Sequence, residues 1–218
     1  MIFFRAPLGL IIAGAAFYGL FLGGCMKDPK HWHNLIAYYT NMSNIAVLIF
    51  QTSVLVSSLF PESAFYAFTQ NGILQFCVMN MILVTFLVYH YILFPAIQIK
   101  KEALTDAEKE AGKLTPNNIC VHYIVPLGSV LYWLLFADKD IPFLSTVLWL
   151  IIPTVYFIYI LIRAVLKINI YGKDTPYPYF FIDRNLIGTK NFVKSVIACF
   201  GVFFGIGCVT FVVSLILR

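Results

Sequence analysis

Six long apolar runs, each almost free of charge, constrain this chain more than any other feature. A helix needs about 20 apolar residues to cross the hydrocarbon core of a bilayer. The runs that meet this length are residues 6–25, 35–59, 72–97, 118–137, 142–166 and 191–217. Only 11% of the 218 residues are charged, whereas soluble domains carry roughly 25%. The sequence therefore predicts an all-α polytopic integral membrane protein, a bundle of six transmembrane helices forming a single domain over 1–218.

The distribution of Lys and Arg predicts how the bundle is oriented. One side of a six-span topology carries Lys27, Lys30, Lys100, Lys101, Lys109, Lys113, Arg163, Lys167, Lys173, Arg184, Lys190 and Lys194, and the other carries Arg5, Lys139 and Arg218. Cytoplasmic connections are enriched in Lys and Arg, so we expect the first side to be cytoplasmic and both termini to lie outside. An impermeant thiol reagent added from outside should label a cysteine introduced at Ser63 and not one at Glu108. The first run is expected to be retained, since it is long for a signal peptide.

The second predicted span carries a stripe of polar side chains that begins in the segment YYTNMSN. Thr40, Ser43, Asn44 and Gln51 have the i, i+3, i+4 and i+11 spacing that shares one helix face, and Asn41 lies beside them. Such residues commonly join transmembrane helices through hydrogen bonds. From this span alone, that structural explanation and a functional one both stay open.

The fourth predicted span places a histidine at the same depth. It begins NNICVHYIVP, so His122 lies about one turn inside, and Thr40 and His122 are each about five residues, or roughly 8 Å, from their helix starts. An ionisable residue within a span is a functional hypothesis by default, although a neutral histidine can also be structural. Asn118 precedes His122 by one turn on the same face.

Three further features occur at the same predicted level of the membrane. His90 lies near the end of the third span, and Arg163 ends the fifth. The next connection contains TPYPYFFIDR, which includes Tyr177 and Asp183 and is unusually aromatic for a solvated loop. Anchoring at the membrane interface is the alternative explanation for these aromatic residues. Arg163 by itself is typical of a cation that extends its charge to the interface.

These residues favour nucleophilic chemistry over metal chemistry. A hydroxyl nucleophile needs a base within hydrogen-bond reach, often oriented by a third group; Thr40 and His122 supply the first two, and Asp183 or Asn118 could be the third. Asn41, Asn44 and Arg163 are candidates for stabilising an oxyanion. No acidic residue lies within the apolar core of a span and the five cysteines show no paired spacing, so we predict no metal site, disulfide or cofactor. Nucleic acid is not an expected partner.

The motifs YYTNMSN, VHYIVP, the closing Arg163 and YPYFFID resemble the bacterial Pr-six-Pr membrane proteins. That family looks related to the androgen-induced-gene family (androgen-dependent TFPI-regulating protein), whose animal members are six-span threonine hydrolases of fatty acid esters of hydroxy fatty acids. The resemblance implies Thr40 as nucleophile and His122 as its histidine. The spacing from His122 to Pro126 is one residue shorter than in the animal pattern, and an extra aromatic interrupts the Tyr-Pro-Phe motif.

The resemblance also implies a bacterial plasma (inner) membrane location and a role in lipid metabolism. We therefore expect a carboxylic ester hydrolase whose partners are a lipid or long-chain ester substrate and membrane lipids, with its site toward the cytoplasm. Two alternatives stay open: an acyltransferase with the same two residues, and a non-enzymatic small-solute channel or lipid-binding protein. Only an enzyme has a reason to activate Thr40 over Ser43. Oligomeric state is not indicated by the sequence.

Overall fold

The computed structural model of the protein describes residues 2–27, 30–99 and 113–218. Six of its helices are long and apolar enough to cross a membrane. In chain order these spans, numbered 1 to 6, are Arg5–Cys25, Tyr39–Leu59, Gly72–Ile99, Pro116–Phe136, Ser145–Val165 and Arg184–Ile216. The described residues form no strand. The all-α, six-span bundle predicted from the apolar runs is confirmed.

Several helix ends differ from the predicted bounds for local reasons. Span 2 begins at Tyr39 instead of residue 35, because Tyr38 has extended backbone angles. Span 4 begins at Pro116, a residue type favoured in the first helical turn. Span 6 begins at Arg184, where Asp183 caps the helix, and is broken at Gly188, whose φ of 73° is left-handed. The apolar run predicted from residue 191 is thus the part of span 6 that follows this break.

Short helical elements lie between the spans. They are the α-helices Lys30–Asn34 and Ala64–Gln70 and the 3-10 turn Phe180–Ile182. The predicted solvated connection over 98–118 includes residues 100–112, which lie outside the described residues. The 3-10 turn belongs to the aromatic segment between spans 5 and 6, and it packs against span 6.

Three spans contain a π-helical segment, in which the hydrogen bonds run from i to i+5 and widen the helix. These segments are Tyr18–Cys25 in span 1, Tyr89–Leu93 in span 3 and Cys120–Ile124 in span 4. Such segments occur frequently at functional sites. His90 lies in the second segment and His122 in the third, so both predicted site histidines project from locally widened helices.

The bundle is organised around span 3. Span 1 packs against spans 2 and 4, while span 3 contacts spans 2, 4, 5 and 6. Trp149, at the start of span 5, is fully buried and packs against span 6 at Gly207, where an added Cβ would overlap its indole nitrogen. Little of span 6 is otherwise buried, so this span covers one side of the bundle and faces mainly outward.

Candidate functional site

A large cavity, hereafter the apolar cavity, lies among spans 2, 3, 5 and 6 beneath the aromatic connection. It contains about 640 Å³ of empty space, part of it open at the mouth. Its walls are formed by Tyr39, Thr40, Val84, Thr85, Val88, Leu93, Pro153, Tyr156, Phe157, Tyr179, Phe181, Ile182, Val196, Cys199, Phe200 and Phe203. Most of these side chains are aliphatic or aromatic, and the hydroxyls of threonine and tyrosine are its main polar groups. The space therefore suits a hydrocarbon chain that carries a polar group.

Thr40 lies in the first turn of span 2, where backbone N–H groups have no partner within the helix. The Tyr179 hydroxyl, from the aromatic connection, interacts with the Thr40 hydroxyl and with the backbone of Thr40 and Tyr39. Burial raises the pKa of Tyr179, and these hydrogen bonds, together with one that it forms with the Tyr156 hydroxyl, oppose the rise. The N-cap residue of span 2 makes no capping hydrogen bond with its side chain. Tyr179, which is distant in sequence, takes that place beside Thr40, the predicted nucleophile.

Ser43 and Asn44, two other members of the polar stripe, make structural contacts. Ser43 is fully buried, and its hydroxyl donates to the Thr40 carbonyl at 2.9 Å and lies 2.7 Å from the Thr85 hydroxyl. Asn44 is also fully buried. Of the four stripe residues, including Gln51, only Thr40 lines the apolar cavity.

Asn44 joins the part of span 2 that carries Thr40 to the part of span 4 that carries His122. Its amide nitrogen donates to the Thr40 carbonyl at 2.8 Å and to the Val121 carbonyl at 3.1 Å. One side chain therefore fixes the relative position of the two helix segments. The predicted nucleophile and base belong to neighbouring turns of adjacent helices.

His122 is buried, and its ring stacks on Tyr89 with ring centroids 3.6 Å apart. Its Nδ1 lies 3.1 Å from the Asn118 carbonyl oxygen. A carbonyl only accepts hydrogen bonds, so Nδ1 carries a proton, and in the neutral ring the lone pair then lies on Nε2. This is the tautomer that a general base requires.

His122 does not line the apolar cavity, and within the described residues no hydrogen bond joins it to Thr40. Tyr89, on which the imidazole stacks, directly follows the cavity-lining residue Val88. Asn118 supports His122 through its backbone carbonyl rather than its side chain. The side-chain amide of Asn118 instead donates to the Lys113 carbonyl at 2.8 Å.

The structure places Asp183 and Tyr177 beside the cavity rather than in it. The buried Asp183 carboxylate accepts hydrogen bonds from the backbone nitrogens of Asn185 and Leu186 at 2.9 and 3.4 Å, so it caps span 6. Tyr177 is buried and its ring packs against Phe192. Both residues hold the aromatic connection in place, whereas its residue Tyr179 reaches Thr40.

Three other candidates lie further from the cavity walls. Arg163 is buried, and its guanidinium donates to the Tyr159 hydroxyl at 3.2 Å and to the Asn169 carbonyl at 3.1 Å. His90 stacks on Phe86, and its Nδ1 lies 3.2 Å from the Tyr123 hydroxyl. Asn41 is half-buried, and like the other two it does not line the cavity.

The sequence pattern does not assign the tyrosines that surround Thr40 to the site. The Tyr156 hydroxyl donates to the Ala37 carbonyl at 2.9 Å, and the rings of Tyr39 and Tyr156 meet edge to face with centroids 5.1 Å apart. The signal for Tyr156 is a stripe along span 5, formed by Trp149, Tyr156, Tyr159 and Arg163. Tyr179 has no such signal, because its position depends on how the aromatic connection folds back.

Comparison with known proteins adds no relative: no protein-family model, curated protein or solved structure matches this chain. Among the described residues, no group of three His, Cys, Asp or Glu side chains is placed to hold a metal ion. The site therefore stands on its own geometry. It combines an apolar cavity, a hydroxyl at a helix N-terminus and a buried histidine on the adjacent helix.

Proposed function

We propose that this protein is an intramembrane lipid-ester hydrolase with Thr40 as nucleophile and His122 as base. The observation that carries the proposal is the different placement of two hydroxyls on one helix face. Thr40 lines the apolar cavity, whereas Ser43 is buried and bonded to the Thr40 carbonyl and to Thr85. A purely structural stripe would not require its first hydroxyl to lie at the end of such a cavity.

The cavity supports a long-chain ester as the substrate class. Its aliphatic and aromatic walls favour a hydrocarbon chain, because burying apolar surface stabilises a bound ligand. The Thr40 and Tyr179 hydroxyls interact with each other at this site, and the ester carbonyl would bind beside them. Fatty acid esters of hydroxy fatty acids, suggested by the motif resemblance, are the first substrates to assay.

In the proposed reaction, the Thr40 Oγ1 attacks the ester carbonyl carbon and its proton passes to Nε2 of His122. The imidazolium then gives this proton to the leaving alkoxide, which departs as an alcohol and leaves an acyl-threonine. A water molecule, deprotonated by His122, releases the fatty acid and restores Thr40. Since the two side chains are not hydrogen-bonded in the ligand-free structure, transfer proceeds through one water or through closer approach in the substrate complex.

The start of span 2 supplies the electrostatic part of the proposal. The N-terminus of a helix carries partial positive charge, and developing oxyanions are stabilised by donors held ready in place. The Tyr179 hydroxyl is held by Thr40, Tyr39 and Tyr156. In the proposal, the Tyr179 hydroxyl donates its proton in a hydrogen bond to the substrate carbonyl oxygen. Tyr179 and the N-terminus of span 2 then stabilise together the negative charge that develops on this oxygen.

The test compares four variants in hydrolysis of a long-chain ester by purified protein in lipid nanodiscs. Thr40→Ala and His122→Ala should each reduce kcat/KM by about a thousandfold or more, and the double variant should be no worse, because residues that act as one unit lose function non-additively. Ser43→Ala is the matched control and should lose less than about tenfold, since it removes structural hydrogen bonds of about 0.6 kcal/mol each. Hydrolysis by Thr40→Ala at the wild-type rate would refute the proposal.

A second function, lipid binding without catalysis, is favoured by one observation: no hydrogen bond joins Thr40 to His122 within the described residues. Retention of a long-chain ester, without cleavage, by wild type and Thr40→Ala alike would support it. An acyltransferase would show the hydrolase variant pattern but would need an added alcohol or amine for full rate.

We further propose that the site faces the cytoplasm of a bacterial inner membrane. The excess of Lys and Arg on the side that carries the aromatic connection supports this orientation. Thiol labelling at Ser63 from outside tests it, because Ser63 lies in the connection at the opposite ends of spans 2 and 3. Failure of that labelling together with labelling of the aromatic connection would invert the orientation.

A further inference from the structure

A second cavity, hereafter the polar cavity, lies among spans 2, 3 and 4 and has no part in the proposed reaction. About 240 Å³ of empty space, including space open to the outside, lies between its walls, and within it there is room for about one water molecule. Its lining residues are Phe50, Gln51, Gln75, Val78, Met79, Ser129, Tyr132 and Trp133. None of them lines the apolar cavity, so the two spaces are chemically and spatially separate.

Three lining residues of the polar cavity have a buried polar atom without a hydrogen-bond partner. These atoms are the Gln51 Oε1, the Ser129 Oγ and the Trp133 Nε1. The residues are only 2%, 5% and 2% exposed, so bulk solvent does not satisfy them. An unpaired buried polar group costs about 1–3 kcal/mol, so three such groups on residues that line one space favour an occupant that forms hydrogen bonds.

The other two polar residues of the lining each have a hydrogen-bond partner. Gln75 donates from Nε2 to the Thr69 carbonyl and accepts from the Asp138 backbone nitrogen, and the Tyr132 hydroxyl accepts from Arg5 at 2.7 Å. The buried atoms without a partner on the lining residues are one N–H donor, one carbonyl acceptor and one hydroxyl. The occupant must therefore both accept and donate hydrogen bonds.

We propose that the polar cavity binds an ordered water molecule that joins spans 2 and 4. The water accepts from the Trp133 N–H, donates to the Gln51 carbonyl oxygen and exchanges a hydrogen bond with the Ser129 hydroxyl. Three hydrogen bonds are typical of a buried water. A metal cation is unsuited because the indole N–H is only a donor, and an anion is unsuited because the Gln51 carbonyl oxygen is only an acceptor.

Radiolytic footprinting tests this assignment on the full chain in lipid nanodiscs. X-ray pulses convert a bound water into hydroxyl radical, which oxidises the side chains beside it. Met79 lines the polar cavity and is 2% exposed, whereas Met81 is 5% exposed and lines neither cavity. We expect Met79 to be oxidised at least about fivefold faster than Met81, which is the reverse of the order that their exposure predicts.

Two variants serve as further controls. Ser129→Val replaces the hydroxyl with an apolar group of similar size, and Trp133→Phe removes the N–H while keeping an aromatic ring. Each should bring the oxidation rate of Met79 down to that of Met81. If both variants fail to fold, the wild-type comparison alone decides. Equal oxidation of the two methionines in wild type, or a Met79 rate that Ser129→Val does not change, would overturn the assignment.

Discussion

The apolar cavity and the polar cavity are both enclosed partly by spans 2 and 3, yet their walls differ in chemistry. The apolar cavity is the larger, at about 640 against 240 Å³, and is lined mainly by aliphatic and aromatic side chains. Five of the eight residues that line the polar cavity carry polar groups: Gln51, Gln75, Ser129, Tyr132 and Trp133. One bundle therefore contains two spaces suited to different occupants.

This difference shows that polar residues on one membrane helix can line two cavities of different chemistry. Thr40 and Gln51 lie on the same face of span 2, three turns apart. Thr40 lines the apolar cavity, while Gln51 lines the polar cavity. Polarity within a span is therefore weak evidence of function by itself, and the cavity that each polar group faces is the more informative feature.

Among the variants that test this comparison of the two cavities, Tyr179→Phe is expected to have the largest effect. This change removes the hydroxyl that interacts with Thr40 and keeps the ring in the cavity wall. Loss of one oxyanion donor typically lowers kcat by about a hundredfold, and we expect that loss here with little change in KM. Tyr177→Phe is the control, because Tyr177 packs against Phe192 outside the cavity. Equal activity of the two variants would remove Tyr179 from the mechanism.

A smaller, substrate-selective effect is expected for Cys199→Phe. Cys199 lines the apolar cavity from span 6, so a larger side chain there should obstruct a long acyl chain. We expect kcat/KM for a long-chain ester to fall about tenfold to a hundredfold while that for an acetate ester is kept. Val202→Phe is the control because Val202, on the same span, is 60% exposed. Equal loss for both chain lengths would indicate that the cavity does not hold the chain.

The smallest effect is expected for Gly207→Ala, a variant whose stability tests whether loose packing is confined to the cavities. Span 6 meets Trp149 closely at Gly207, where Gly207→Ala would force the indole to shift. Such overpacking costs about 1–3 kcal/mol, which thermal unfolding in nanodiscs would detect. Gly205→Ala is the matched control, since no atom lies within 4 Å of its added Cβ. If Gly207→Ala is as stable as Gly205→Ala, packing near span 6 is loose generally and the apolar cavity is not a distinct site.

The spans themselves could be predicted because their signal is local. Each apolar run is long enough to cross a bilayer and is bounded by charges or by Pro and Gly, and the structure confirms six such helices. The stripe containing Thr40 and Ser43 also follows from helical spacing. Which stripe member meets a cavity does not, because that depends on where spans 5 and 6 pack against span 2.

Two features of the site cannot be predicted from the sequence pattern. The π-helical segments that carry His90 and His122 lie within continuous apolar runs, so hydropathy does not reveal where the hydrogen-bonding pattern of the helix changes. In the aromatic connection, the sequence motif indicates Tyr177 as a site residue, whereas the hydroxyl that interacts with Thr40 belongs to Tyr179. The fold of that connection depends on tertiary contacts, including the Asp183 cap on span 6.

The central claim, that Thr40 is an activated nucleophile facing the apolar cavity, is tested most directly by covalent labelling. Purified protein is incubated with a long-chain alkyl fluorophosphonate, digested, and the modified residue is located by mass spectrometry. We predict a single adduct on Thr40 that is absent from Thr40→Ala and strongly reduced in His122→Ala, with Ser43 unmodified. An adduct on Ser43, or labelling of Thr40 that does not depend on His122, would contradict the account, as would a fully folded wild-type protein that forms no adduct.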